Sequence, residues 1–194
     1  MRRYGSPLDT EFLAFRDALA GLGLECSEDR LEALVWYREA VRSWNRRVNL
    51  VSRRDVDRLV EYHFLDCAEG LRCLRTNVDT EIMDLGSGAG FPGLVWKILR
   101  PALRMTLVES VRKRCLFLER VVGHLGLRET VVLRVRAEEL VKDGGLAGGL
   151  DVVVVRTVAK LARLVEMGLP LLRGGGRLVA FKGAGLAREK VEAE

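Results

Sequence analysis

Cysteine and histidine are scarce in this chain of 194 residues. The four cysteines, Cys26, Cys67, Cys73 and Cys115, form no C-x-x-C pair, so neither a zinc site nor a redox dithiol is indicated and no metal is expected. Reduced thiols in a cytoplasmic protein are the simplest reading. No apolar run approaches the roughly 18 residues that a membrane helix needs, so no membrane partner is expected. The opening stretch "MRRYGSPLDTEF" holds no apolar h-region, and no secretory signal is expected. Internal repeats and low-complexity tracts are missing as well. What is present is an ordinary globular balance, 48% hydrophobic and 6% aromatic. The length suits one domain with a modest extension, and a monomer is the default.

The net charge is +5, and its excess is localised. From Lys97 to Arg136, ten basic residues stand against Glu109, Glu119 and Glu129, a net of +7. Such a window could form a basic face that steers a polyanion such as nucleic acid. It could equally be arginines that solubilise helix surfaces.

The first part of the chain, 1–77, reads as a helical cap. Phe12, Phe15 and Leu19 recur at helical spacing. Ser27 is placed to cap a long helix whose apolar face runs from Leu31 through Trp44 to Val48. Asp55 is placed to cap another helix containing Val56 to Leu71. From 78 to 194 the texture changes. The short apolar runs "EIMDL", "RMTLVE", "TVVLRV", "DVVVV" and "GRLVAF" alternate with helix candidates near 92–100, 111–126, 137–142 and 158–169. Strands alternating with helices predict an α/β fold with a mostly parallel, Rossmann-like sheet. Fully apolar strands suit a sheet covered on both faces.

The stretch "IMDLGSGAGFPG", Ile82–Gly93, is a strand running into a glycine turn. Gly88, Gly90 and Gly93 match G-x-G-x-x-G, a weak sign of a dinucleotide site when it stands alone. Two details point elsewhere. Asp84 precedes the first glycine by two residues, and a carboxylate there suits a cationic ligand. Pro92 has no N–H to offer a pyrophosphate. S-adenosylmethionine carries an ammonium and a sulfonium and no phosphate. Glu109, at the end of the second strand, is placed for two ribose hydroxyls, and Ala137 and Glu138 follow the third strand where an adenine edge could lie. An NAD site and a purely structural glycine turn stay open on these residues alone.

The acceptor of a methyl group can be narrowed. Carbon-5 of a pyrimidine needs a thiolate, and "DVVVVRTVAKL" after the fourth strand has none. An exocyclic adenine amine is usually met by an Asn/Asp-Pro-Pro-Tyr turn at that place, where this chain has Arg156 and Thr157. A ring nitrogen such as guanine N7 has a free lone pair and needs positioning more than a base. Arg156 favours that chemistry, because its fork suits the guanine edge. The alternative is that Arg156 simply pairs with a carboxylate.

The segments "WNRRVNLVS" (44–52), "YHFLDC" (62–67), "DLGSGAGFPG" (84–93), "RPALRMTLVESVRKRCLFLERV" (100–121), "RAEEL" (136–140), "VRTVAKLARLVE" (155–166) and "GGGRLVAFKG" (174–183) together resemble the bacterial glucose-inhibited division protein B family. These are class I S-adenosylmethionine-dependent 16S rRNA guanine-N7 methyltransferases. The resemblance implies a cofactor pocket of Asp84, Gly86, Ser87, Gly88, Gly90, Phe91, Glu109, Ala137, Glu138 and Arg156. It implies that Asn49, His63 and Asp66 lie at the junction of cap and sheet near the methyl group, with Arg156 facing the target guanine. Lys113, Arg114 and Lys182 would hold RNA, and the substrate would be 16S rRNA or the small ribosomal subunit. Trp44 and His124 are expected to be structural. The family usually has aspartate where this chain has Glu109, and serine where it has Cys67. After "FKG" the class I fold adds a helix and two strands, whereas only "AGLAREKVEAE" follows here, so the sheet is expected to lack its last hairpin. That last point supports a competing expectation, a non-catalytic RNA-binding or ribosome-assembly protein that keeps the fold.

Overall fold

The computed structural model describes residues 9–72, 74, 79–143, 148–156 and 160–181. The cap opens with α1 (Thr10–Gly21), whose N-cap Asp9 accepts the Phe12 N–H at 3.1 Å. Helix α2 (Glu28–Asn45) follows, with Ser27 at the N-cap position, although its hydroxyl makes no capping bond there. The apolar face predicted to run to Val48 stops at Asn45. The Asn45 Oδ1 reaches forward to accept the N–H groups of Leu50 and Val51 at 2.8 and 3.0 Å, turning the chain. The helix expected after Asp55 is divided into a 3-10 turn (56–58), a π-helical turn (60–64) and α3 (Leu65–Arg72). Single π turns inside helices occur frequently at functional sites.

The sheet holds β1 (Glu81–Leu85), β2 (Arg104–Val108), β3 (Thr130–Leu133), β4 (Leu150–Val155) and β5 (Leu172–Ala180) in the order β3-β2-β1-β4-β5. Every pairing among them is parallel. Between them lie α4 (Gly93–Leu99), α5 (Arg112–Leu125), α6 (Ala137–Asp143) and α7 (Leu161–Gly168). The four helix candidates and five strand candidates of the sequence all appear, and the fold is Rossmann-like. The last strand starts earlier than expected, at Leu172, but its regular pairing begins only at Arg177, because residues 173–176 form an irregularity opposite β4. The expectation about the end of the chain falls on residues 182–194, outside the described residues.

Strand residues alternate between two apolar layers, as the two-residue repeat of a strand dictates. Ile82, Leu107, Val152 and Val154 pack into one core with the cap, α4 and α5. Met83, Leu85, Val108, Val153 and Val155 pack into the other with Leu164 and Met167 of α7. This two-sided burial is why the strands read as unbroken apolar runs. Two buried hydrogen bonds join the cap to the sheet layer. Tyr37 of α2 donates its hydroxyl to the Ala89 carbonyl at 2.5 Å, and the Trp96 indole of α4 donates to the Cys67 carbonyl at 2.6 Å. His124 stacks on Trp36 at 3.9 Å, and Trp44 packs against Phe117 at 5.5 Å.

The basic window is not one face. Lys97 is buried, and its Nζ donates to the carbonyls of Pro101 and Leu103 just beyond the end of α4. Arg104 starts β2, at the opposite end of the sheet from the glycine turn, and is ion-paired there with Asp79 and Glu81. No helix among the described residues is long and apolar enough to cross a membrane.

Candidate cofactor and substrate cleft

β1 sits where the strand order reverses, with β2 on one side and β4 on the other. Open parallel sheets bind ligands in the crevice at the carboxyl ends of such strands. A cleft of about 570 Å³ opens there. Its floor is the turn after β1 (Gly86, Ser87, Gly88, Ala89 and Phe91). Glu109 and Ser110 come from the end of β2, Ala137 and Glu138 from the start of α6, and Val155 and Arg156 from the end of β4. The cap contributes Leu50, Val51, Asp55 and His63.

Glu109 is buried, and its carboxylate accepts N–H bonds from Gly88 at 3.1 Å and Val111 at 2.8 Å. Arg114 lies 3.6 Å from it and also donates to the Asn49 carbonyl at 3.0 Å, tying cap to sheet. Each Glu109 oxygen keeps lone-pair capacity for a further donor.

Asp84 is completely buried beneath the turn and does not line the cleft. One carboxylate oxygen accepts the Gly93 N–H at 3.0 Å, and the other, Oδ1, has no hydrogen-bond partner. Burial pushes its carboxyl up to about 7, against the opposing pull of the Gly93 bond. The first N–H of α4 is therefore occupied by a carboxylate, and Pro92 before it has none. A pyrophosphate of the dinucleotide type has no anchor here. Gly90 also lies behind the surface. Its φ is +97°, and a Cβ there would meet Leu94 at 2.3 Å and the Tyr37 hydroxyl at 2.9 Å.

Arg156 is the cationic centre of the cap-side wall. It pairs with Asp66 at 2.8 Å and donates to the Tyr62 carbonyl and the Cys67 sulfur, each at 3.3 Å. His63 lies flat on Phe91, ring centroids 4.8 Å apart at 3°. Both its ring nitrogens are buried without a hydrogen-bond partner, and its nearest carboxylate is Asp55 at 3.8 Å. Burial and then the Arg156 charge push its pKa down to about 4, so the imidazole is neutral near pH 7.

Of the residues singled out from sequence, Gly86, Ser87, Gly88, Phe91, Glu109, Ala137, Glu138, Arg114, His63 and Arg156 line the cleft. Asp84, Gly90, Asp66 and Asn49 do not. Asp84 points down because it shares the face of Ile82, towards α4, Asp66 stands behind Arg156, and Asn49 is exposed with its carbonyl on Arg114. Lys113 is exposed on α5, and Lys182 lies outside the described residues. Sequence reasoning missed Leu50, Val51 and Arg163 as lining residues. Asn45 was missed too, and its signal was an amide at the end of a helical pattern. Arg163 is paired with Glu138 at 3.5 Å.

Residues 30–194 match the family model described as "GidB: rRNA small subunit methyltransferase G". The protein of that name from Roseiflexus castenholzii is 47% identical over 173 residues, 88% of this chain and 73% of that one. The one from Symbiobacterium thermophilum is 41% identical over 183 residues, 92% of this chain and 74% of that one. Among solved structures, a precorrin-6y C5,15-methyltransferase from Geobacter metallireducens shares the fold with a TM-score of 0.55 at 18% identity, covering 74% of this chain and 71% of that one. The chain thus belongs to the GidB family, rRNA small subunit methyltransferase G.

Proposed function

We propose that the protein transfers the methyl group of S-adenosylmethionine to N7 of a guanine in 16S rRNA of the small ribosomal subunit, as a cytoplasmic monomer. The observation that carries this reading is the Glu109 carboxylate, buried opposite a glycine turn at the point where the strand order reverses.

The residues present fit this cofactor. Glu109 offers acceptor capacity for the ribose hydroxyls. Leu85, Val155 and Met167 add apolar surface for a purine. Asp84, under the turn with one oxygen unpartnered, lowers the potential of the floor for a cationic group only in its ionised form, and burial keeps its carboxyl up at about 7. S-adenosylmethionine held there would supply a methyl group on a positively charged sulfur, an electrophile for the N7 lone pair with a neutral thioether as its leaving group. N7 carries no proton, so the chain needs no general base there. The residues on the cap side hold the base instead. Arg156 offers donors to the guanine O6, and the neutral His63 ring, flat on Phe91 with its nitrogens buried, adds an uncharged wall beside the base. Asp66 neutralises Arg156, so the wall does not oppose the positive charge that develops on the methylated ring.

Incubation with methyl-labelled S-adenosylmethionine and small subunits lacking the modification tests the assignment. Label recovered as N7-methylguanine supports it. Label on another atom, or none on naked or assembled RNA, contradicts it.

A further inference from the structure

Among the described residues Tyr62 is the one exposed large aromatic side chain, 52% accessible. It belongs to the π-helical turn that carries His63. Its carbonyl accepts from Arg156, and its ring stands edge-on to His63 at 6.4 Å. Both of those neighbours line the cleft; Tyr62 does not line it itself but stands beside them with its ring in solvent. Arg58 lies over that ring, its guanidinium carbon 4.4 Å from the centroid. Exposed aromatic faces partnered by arginine are what proteins use to stack unpaired bases.

The charge beside it is of matching sign. From Arg46 to Glu61 five exposed arginines, 46, 47, 53, 54 and 58, stand against three acids, Asp55, Asp57 and Glu61, of which Glu61 pairs with Arg58 at 3.3 Å. The same turn places Leu50, Val51 and Asp55 in the cleft wall. The basic surface that borders the cleft on the cap side is thus this turn. The 97–136 window is dispersed instead, with Lys97 internal and Arg104 at the far end of the sheet.

We propose that Tyr62 and Arg58 form a stacking platform for the nucleotide next to the target base in a single-stranded RNA segment, whose phosphates Arg53 and Arg54 hold. The proposal rests on RNA being the substrate. It concerns the seating of the strand, whereas the cleft residues act on the methyl group and the base.

The test compares the wild type with Tyr62→Ala, Tyr62→Phe, the Arg53→Ala/Arg54→Ala pair and the control Arg104→Ala. The probe is a fluorescent, guanine-containing single-stranded RNA oligonucleotide, followed by anisotropy over a salt series. Methyl transfer to unmodified small subunits and calorimetry with S-adenosylmethionine accompany it. Tyr62→Ala should weaken oligonucleotide binding about tenfold, and Tyr62→Phe should restore it. The arginine pair should lower the salt slope by roughly 1.4. KM for subunits should rise in Tyr62→Ala and in the arginine pair, with kcat, cofactor affinity and melting temperature held. Wild-type binding and KM in Tyr62→Ala, or an equal loss in Arg104→Ala, overturn the platform while leaving the methyltransferase reading intact. Failure of the wild type to bind the cofactor or methylate any RNA removes that reading, and the platform with it.

Discussion

Two carboxylates in the site have opposite environments, and their substitutions separate binding from folding. Glu109 already accepts two backbone N–H bonds and faces the cleft. Glu109→Gln keeps the shape and removes the charge and half the acceptor capacity. Calorimetry should show S-adenosylmethionine affinity reduced by about tenfold or more, as expected for losing a charged hydrogen-bond acceptor. Unchanged affinity would remove Glu109 from the ribose role. Asp84 is held up near pH 7 by burial, while in the unfolded chain it ionises near 3.8. Between these values the unfolded state binds fewer protons, so this residue makes stability fall as pH rises, by about 1.4 kcal/mol per unit at most. Asp84→Asn does not ionise. In urea titrations its stability relative to the wild type should therefore improve from pH 4 to pH 7. A difference flat across that range contradicts the assignment. The carboxylate at 84 was conspicuous in the sequence, and its direction was legible as well: an alternating strand puts it on the face of Ile82, under α4.

Elements here depend on a few close approaches and charge clusters. A Cβ on Gly93 at the start of α4 would lie 2.5 Å from Leu107 and 2.7 Å from the Asp84 carboxylate. A Cβ on Gly88 would meet nothing nearer than the Gly86 carbonyl at 3.8 Å, although its φ is +58°. Gly93→Ala should cost about 2 kcal/mol by overpacking, and Gly88→Ala about 1 kcal/mol of backbone strain. Denaturant unfolding of the two variants ranks them. In the cap, buried Arg38 binds Asp9 and Glu11 at 2.6 Å each and Glu39 at 2.8 Å, fixing α1 to α2. Arg38→Met leaves three carboxylates facing each other. With those acids partly in solvent the loss should be about 2 kcal/mol at pH 7. Burial alone would raise the Asp9 carboxyl, but its bonds with Arg38 and the Phe12 N–H outweigh this and hold it below 3.8. Its share of the stability is present above 3.8 and lost as pH falls through the lower folded value, so the penalty of Arg38→Met should shrink in acid. A pH-independent penalty contradicts the ion cluster. The sheet elements were legible because the central strands β1, β2 and β4 are buried on both sides, and the half-exposed edge strands β3 and β5 still keep apolar runs. The cap elements were less so. Where α2 ends depends on the Asn45 side chain bonding five and six residues ahead, and the π turn inserts a residue that helical periodicity does not register. Lys97 counted as surface charge until its bonds to Pro101 and Leu103 showed a buried lysine closing the end of α4.

At the scale of the molecule, the site exists because two layers meet. The sheet brings the glycine turn, Glu109 and Arg156 to one edge, and the cap closes that edge with Val51, Asp55 and His63. Tyr37 and Trp96 hold the layers in register through hydrogen bonds to backbone carbonyls. The chain order of strands and helices showed the sheet half of this in advance. The meeting of "HFLD" in the cap with "VVVVR" at the end of β4 is a tertiary contact, Arg156 to Asp66, and no local pattern encodes it. The central claim is that this junction holds a sulfonium nucleoside against the Glu109 carboxylate. A crystal structure of the protein soaked with S-adenosylmethionine measures it directly. The account predicts the nucleoside in the cleft with its ribose hydroxyls on Glu109 and its methyl group towards Arg156 and His63. A vacant cleft, or the compound bound elsewhere on the molecule, would contradict it.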